Sequence, residues 1–156
     1  MNILLHPITI DNWRNVIFLD PGIQNSGFIE PNSTTIMEIL FRFPNEYLHY
    51  LKGIYVDSQL IGFTAFYPTQ NTQNIYIHTF MIDQRFQGNG WGKKSFAKVL
   101  EHIQETFHPH TIELSTNNPI AIGLYSSFGF VSEDTDRSRE YFQKYRETLF
   151  ILRVCR

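Results

Sequence analysis

Residues 80–96 read FMIDQRFQGNGWGKKSF, an apolar run, a glycine-rich stretch and a lysine pair in immediate succession. Gly88, Gly90 and Gly92 alternate with Asn89 and Trp91. Glycine loses more backbone freedom on folding than any other residue, so such a density needs a reason. What the stretch offers is bare backbone amide. The residues before it read as a strand. Those after it read as a helix, with Phe96, Val99, Leu100, Ile103 and Phe107 at spacings of three and four. Strand, glycine loop and helix start together make an anion site. The first amides of a helix have no internal partner and lie at the positive end of its dipole. Lys93 and Lys94 add positive charge beside it.

Spacing separates three versions of such a loop. A P-loop, GxxxxGK[ST], fails twice: ending it at Gly92-Lys93 puts Gln87 where the first glycine belongs and Lys94 where the hydroxyl belongs. A dinucleotide turn, GxGxxG, is satisfied by Gly88 and Gly90 but meets Lys93 at the third place, and no early βαβ unit precedes it. A Q/R-x-x-G-x-G/A loop is matched in full by Gln87, Gly90 and Gly92. A tight turn with no ligand is the bland alternative.

Around this loop the chain alternates strands and helices. ILLHPITI reads as a first strand, and Asp11 as the cap of a helix reaching about Leu19. Asn32 or Ser33 is placed to cap a second helix, with Ile36, Ile39 and Leu40 on one face. YLHYLKGIYV and QLIGFTAFY flank Asp57-Ser58 as a hairpin, and NIYIHTFMI is the next strand. Pro109 closes the long helix, and HTIELST follows as a strand. Asn118-Pro119 then looks like a cap with proline at the first helical position. Ala121, Leu124, Tyr125 and Phe128 form that helix's inner stripe, Gly129 is its left-handed stop, and TLFILRV is the last strand. This order predicts an α/β (α+β) fold with a mixed sheet.

Bulk properties narrow the function classes. The chain has 156 residues, enough for one domain with a real core, here expected to span 1–156. Its net charge of −2 argues against a general nucleic-acid binder. Residues 1–82 carry −3 and residues 83–156 carry +1, a lean that favours the second part for an anionic ligand. No window approaches the roughly 18 apolar residues of a membrane span, and MNILLHPITI lacks the features of a signal peptide. A cytoplasmic location is the expectation. Cys155 is the one cysteine, so neither an internal disulfide nor a cysteine metal site can form. His6, His49, His102, His108 and His110 show no metal-ligand spacing, and no metal is expected.

A second motif follows the long helix. Residues 118–130, NPIAIGLYSSFGF, complete the pattern N-x-x-A-x-x-L-Y-x-x-x-G-F through Asn118, Ala121, Leu124, Tyr125, Gly129 and Phe130. With the glycine loop, this resembles the GNAT superfamily of acyl-CoA-dependent N-acyltransferases, over nearly the whole chain. The resemblance implies a central, mostly antiparallel sheet of about six or seven strands flanked by about four helices. The wording FMID…FQGNGWGKK, GIYVDSQLIGF and GFIEPN resembles the bacterial diamine and polyamine acetyltransferase branch. Residues 132–147, SEDTDRSREYFQKYRE, depart from it as a long charged loop.

The resemblance implies acetyl-CoA as donor and direct attack by an amine, with no covalent enzyme intermediate and an inert Cys155. It puts the pyrophosphate on the amides of Gln87, Gly88, Asn89, Gly90, Trp91, Gly92 and Lys93, with the Gln87 side chain and Lys93 or Lys94 adding contacts. The pantetheine arm would run along His78 to Ile82, past Phe80, Met81 and Ile82. The Phe80 amide would polarise the thioester carbonyl. Tyr125 matches the family's general acid, against the bland reading of a core tyrosine. Asn118 is expected as helix cap and cofactor contact. Where relatives carry a strand glutamate, this chain has Tyr76. Strand alternation would put Tyr76, His78 and Phe80 on one face. The base is then His78, Glu113 through a water, or water alone. Glu30 is placed to receive an ammonium group of a polyamine, against an exposed loop acid.

The expected acceptor is therefore a small primary amine, a polyamine being favoured. Peptide or protein amines and antibiotics remain alternatives, as does a non-catalytic acyl-CoA sensor. Neither nucleic acid nor membrane is expected as a partner, and a homodimer is left open.

Overall fold

The sheet is built on strands whose inward residues alternate with outward ones, and its topology positions everything else. The computed structural model describes residues 1–154, so Cys155 lies outside the described residues. In chain order the elements are β1 (Ile3–Pro7), α1 (Trp13–Ile17), α2 (Asn32–Arg42), α3 (Tyr47–Tyr50), β2 (Leu51–Val56), β3 (Gln59–Pro68), β4 (Asn74–Ile82), α4 (Trp91–Phe107), β5 (Thr111–Thr116), α5 (Pro119–Ser127), β6 (Val131–Ser132), α6 (Asp136–Tyr145) and β7 (Thr148–Arg153). The strands form a seven-stranded sheet in the order β1-β2-β3-β4-β5-β7-β6. Every pairing is antiparallel except β4 with β5. The mixed, mostly antiparallel sheet matches the expectation.

Each face of the sheet carries its own core. On one face α4 lays Phe96, Val99 and Ile103 against Ile54, Ile77 and Ile112. On the other, Val16 of α1 and Ile36 and Ile39 of α2 meet Phe63 and Met81. Burying each such side chain is worth roughly 1.5–3 kcal/mol. The stripe on α4 thus does what its spacing predicted.

The parallel pair is short. β4 and β5 are in register only from Asn74–Thr111 to Tyr76–Glu113. Beyond Tyr76 the two strands have no ladder between them, and the sheet opens as a wedge at its middle.

Several local expectations are corrected. Asp11 does not cap α1, whose N-cap is Asn12 and lacks a side-chain cap bond. Neither Asn32 nor Ser33 caps α2: its N-cap is Pro31, and the buried Asn32 side chain instead donates to the Val16 carbonyl at 3.0 Å. The strand expected from Tyr47 starts at Leu51, because residues 47–50 make one helical turn closed onto Phe43 and Glu46 carbonyls. Residues 132–147 are not a loop: they hold β6 and the helix α6, so six helical segments flank the sheet. Finally, Tyr76 and Phe80 do not share a face. The β3–β4 register passes from Ala65–Thr79 to Phe66–Ile77 and leaves His78 without an opposite residue. This bulge shifts the alternation by one. Phe80 and Ile82 pack toward α4, whereas Tyr76 and Met81 pack toward α2. The Thr64 hydroxyl donates to the Thr79 carbonyl at 2.9 Å, which satisfies a group buried at the bulge.

Candidate functional site

The wedge between β4 and β5 is the mouth of a cavity of about 400 Å³. Its walls come from β4 (His78 to Ile82), the glycine loop (Gln87, Gly88, Gly92), β5 (Ser115, Thr116), and Asn118 and Tyr125 at the start and middle of α5. The loop between α1 and α2 closes it with Asn25, Phe28 and Ile29. The two sequence motifs therefore meet at one place, from strands that the open ladder holds apart.

At one end lies the glycine loop. Asp83 turns the chain out of β4. Its carboxylate accepts from the Asp20 amide at 3.0 Å, the Arg85 amide at 3.0 Å and Arg85 Nε at 2.8 Å. Burial pushes the Asp83 carboxyl up, but these bonds outweigh it and hold it below its ordinary range. A 3-10 turn, Gln84–Phe86, follows, and α4 begins after Gly90, which has φ +82. Only a residue without Cβ takes that conformation cheaply. The backbone amides of Gly88, Asn89, Gly90, Trp91, Gly92 and Lys93 make no hydrogen bond among the described residues. At Gly92 nothing among the described residues requires glycine: an added Cβ would meet nothing within 4 Å. Space kept open over free helix amides is what an anion needs for close approach.

The Gln87 side chain does not reach over this anion site. It donates to the Ile82 carbonyl at 2.7 Å and the Pro21 carbonyl at 2.9 Å, clasping the α1–α2 loop to the end of β4. Lys93 is exposed, and Lys94 lies over the Trp91 ring at 5.1 Å.

Asn118 caps α5 as expected, accepting from the Ile120 amide at 3.1 Å. Its amide also donates to Asn25 Oδ1 at 2.9 Å. Asn25 was not singled out in the sequence; a lone loop asparagine carries no signal for a bond across 93 residues.

Tyr125 projects from α5 into the cavity wall, 8% exposed. Its ring packs on Phe96 at 4.9 Å and on Phe130 at 6.1 Å. Its hydroxyl makes no hydrogen bond among the described residues, and burial pushes its pKa upward. It is both a core tyrosine and a protonated, unengaged O–H at the cavity.

Behind the lining residue His78 lies a polar, acidic cluster. His78 Nε2 lies 2.7 Å from Glu30 Oε1 and 3.8 Å from Glu38 Oε2, and Nδ1 lies 3.2 Å from the Tyr67 hydroxyl. Thr35 donates to the same Glu30 oxygen at 2.7 Å. A carboxylate only accepts, so Nε2 carries the hydrogen toward Glu30 and Nδ1 accepts from Tyr67. Both ring nitrogens are then engaged, and His78 has no lone pair free for a substrate proton in this arrangement. It orients Glu30 instead. Glu30, Glu38 and His78 hold these atoms within 4.8 Å of one another, and the two carboxylates give the cluster its negative charge. Glu113 is buried and paired with Arg137 at 2.5 Å, and it does not line the cavity.

The unexpected helix α6 bonds to the lining residue Ser115. Tyr141 reaches back to the sheet, 2.7 Å from the Tyr76 hydroxyl and 2.9 Å from Ser115 Oγ. Ser115 also lies 2.8 Å from Tyr76 and donates to Glu147 at 2.6 Å. Burial pushes the pKa values of Tyr76 and Tyr141 upward, so these hydroxyls remain donors.

Comparison with known proteins agrees with this geometry. The Acetyltransferase (GNAT) family model matches residues 12–130. The spermine/spermidine N(1)-acetyltransferase of Bacillus subtilis (strain 168) is 30% identical over 140 residues, covering 83% of this chain and 88% of the relative. The N-acetylglutamate synthase of Neisseria gonorrhoeae, solved with coenzyme A and N-acetyl-glutamate, superposes with a TM-score of 0.74 at 14% identity. That match covers 100% of this chain, which spans 36% of the synthase. The acetyltransferase yncA of Salmonella typhimurium, solved with acetyl-CoA, superposes with a TM-score of 0.69 at 13% identity, covering 100% of this chain and 96% of that one. Among the described residues, no helix is long and apolar enough to cross a membrane.

Proposed function

This chain belongs to the GNAT acetyltransferase family, and from that premise we propose that it transfers the acetyl group of acetyl-CoA to a primary amine of a small polyamine. The observation that carries the reading is one cavity whose end is lined by Gly88 and Gly92, from a run of six amides unpartnered among the described residues, and whose wall holds the free Tyr125 hydroxyl. The pyrophosphate of the donor rests on the amides of Gly88 to Lys93. The pantetheine arm lies in the wedge along Phe80, Met81 and Ile82, where β4 has no β5 partner. Asn118 and Asn25 hold the two sides of that channel at their observed spacing.

The chemistry follows from charge. The amine nitrogen, once deprotonated, attacks the thioester carbonyl carbon. The carbonyl oxygen gains negative charge, which in this reading the Phe80 amide stabilises; such a donor is worth roughly 3 kcal/mol. Collapse breaks the C–S bond, and Tyr125 gives its proton to the departing thiolate. The phenolate recovers a proton from the still protonated amide nitrogen. The products are the N-acetyl amine and free CoA, with one proton released.

Glu30, held by His78 and Thr35, together with Glu38, receives a second ammonium of the acceptor. Two carboxylates beside the lining residue His78 support an acceptor with more than one cation, in keeping with the acceptors named for the Bacillus relative. Incubation with acetyl-CoA and a panel of monoamines, diamines, polyamines, peptides and aminoglycosides, read as release of CoA thiol, tests this. Preference for polyamines is expected. Turnover of peptides or aminoglycosides alone removes the polyamine, and tight CoA binding with no turnover marks an acyl-CoA sensor.

A further inference from the structure

The acceptor enters as an ammonium ion, with a pKa near that of lysine, about 10, and must lose a proton before it can attack. The strand position where relatives carry a glutamate holds Tyr76, both nitrogens of His78 are engaged, and Glu113 is sealed against Arg137. Besides the Glu30–Glu38 pair beside His78, a further carboxylate reaches the cavity through a single hydroxyl. Ser115 lines the cavity, and its only hydrogen is committed to Glu147 at 2.6 Å. The remaining hydroxyl hydrogens can run head to tail, Tyr76 to Tyr141 to Ser115, over 2.7 and 2.9 Å. That order leaves one lone pair of Ser115 Oγ free to accept.

Glu147 is also well anchored. It follows Arg146, which takes a left-handed φ of 59° at the end of α6. Asn117, just past the end of β5, binds the Arg146 carbonyl at 2.6 Å and the Thr148 amide at 3.3 Å. The segment carrying the carboxylate is therefore tied to the strand carrying Ser115.

We propose that Ser115 and Glu147 form the relay that removes the acceptor's proton, taking over the role of the absent strand carboxylate. The inference rests on the acetyltransferase reading above. In the step, Ser115 Oγ accepts a proton from the ammonium nitrogen as its own proton passes to the Glu147 carboxylate. The neutral amine then attacks, and half-buried Glu147 returns the proton to solvent. Ser115 touches the substrate; Glu147, acting through it, is a positioning and proton-holding residue. The groups that face Glu147 are Ser115 on β5, Tyr141 on α6 and, one step removed, Tyr76 on β4. Glu113 with Arg137 lies on the same side of the sheet, as does His78, whose ring is 6.3 Å from that of Tyr76 and which lies beside Glu30 and Glu38.

The test is a pH–rate profile of kcat/KM for a diamine between pH 7 and pH 10.5, for the wild type, E147Q and S115A. Both variants are expected to lose about 10²-fold near pH 7, the usual contribution of a general base. The deficit should shrink toward the amine's own pKa, where the solvent supplies free amine, and KM for acetyl-CoA should not change. A deficit constant across that range, or full activity in either variant at pH 7, overturns the relay. S115A removes one hydroxyl and carries the test alone if E147Q does not fold. A wild-type protein that acetylates no amine overturns the transferase reading and the relay with it. A wild type that acetylates amines while the variants show a flat deficit overturns the relay alone.

Discussion

The side-chain amide of Asn118 donates to Asn25 Oδ1 at 2.9 Å, joining the cap of α5 to the loop that closes the cavity. The Asn25 side-chain nitrogen donates to the Pro21 carbonyl at 3.0 Å, the same carbonyl that Gln87 holds. Loop, glycine turn and second motif are thus one hydrogen-bonded frame around the donor channel.

That frame separates two roles in Asn118. Asn118→Ala removes a cap, with an expected loss of about 1 kcal/mol of stability. Asn25→Ala leaves the cap intact and loosens the loop only. Acetyl-CoA binding should weaken in both, while calorimetric melting drops clearly in Asn118→Ala alone. Equal melting losses would put the stability in the loop rather than the cap.

Gly92→Ala should show that glycine there serves a ligand. The added methyl has open space and raises helix propensity by up to about 1 kcal/mol, so Tm should hold or rise. Binding of CoA, measured by calorimetry, should weaken by 10-fold or more. A variant that binds CoA normally would show that nothing approaches those amides closely.

Tyr125→Phe removes a hydroxyl with no partner among the described residues, so Tm should stay close to the wild-type value. The expected kcat loss is about 10²-fold, the typical contribution of a positioned acid. Unchanged kcat at saturating substrates would exclude Tyr125 as the proton donor.

Much of this was legible in the chain, and the failures have physical reasons. The stripe Phe96, Val99, Leu100 and Ile103 and the Asn118 cap appear where the spacing put them, because burial and capping leave marks in adjacent residues. Helix α6 left no such mark: it buries no residue fully and is held by the Thr135–Ser138 capping box, the Arg137–Glu113 pair and the Tyr141 hydroxyl. The bulge at His78 adds one residue without altering the apolar pattern, so alternation counted across it misplaced Phe80. Polar links such as Asn25–Asn118 and Ser115–Glu147 join distant residues and have no period at all.

Glu30→Gln should raise KM for a diamine or longer polyamine by about 10-fold or more, since a hydrogen bond to a charged group is worth roughly 1.5–3 kcal/mol. KM for a monoamine and for acetyl-CoA should change little. A uniform rise for every amine would mean that Glu30 shapes the wall rather than reading a second cation.

Asp83 ties the turn after β4 to pH. Its carboxyl is held below the ordinary value of 3.8, so its contribution to stability is full above that value and lost as pH falls through the lower, folded-state one. Asp83→Asn should lower Tm near neutrality and flatten the acid limb of the Tm-against-pH curve. An acid limb identical to the wild type would show that other carboxylates set it.

The most direct measurement is the simplest. Purified protein is mixed with acetyl-CoA and spermidine, and both free CoA thiol and the mass of the polyamine are followed. Equal amounts of thiol and mono-acetylated polyamine, at a rate above that of the buffer alone, are the predicted result. Thiol release without an acetylated amine, or no release at all with CoA bound, would contradict it.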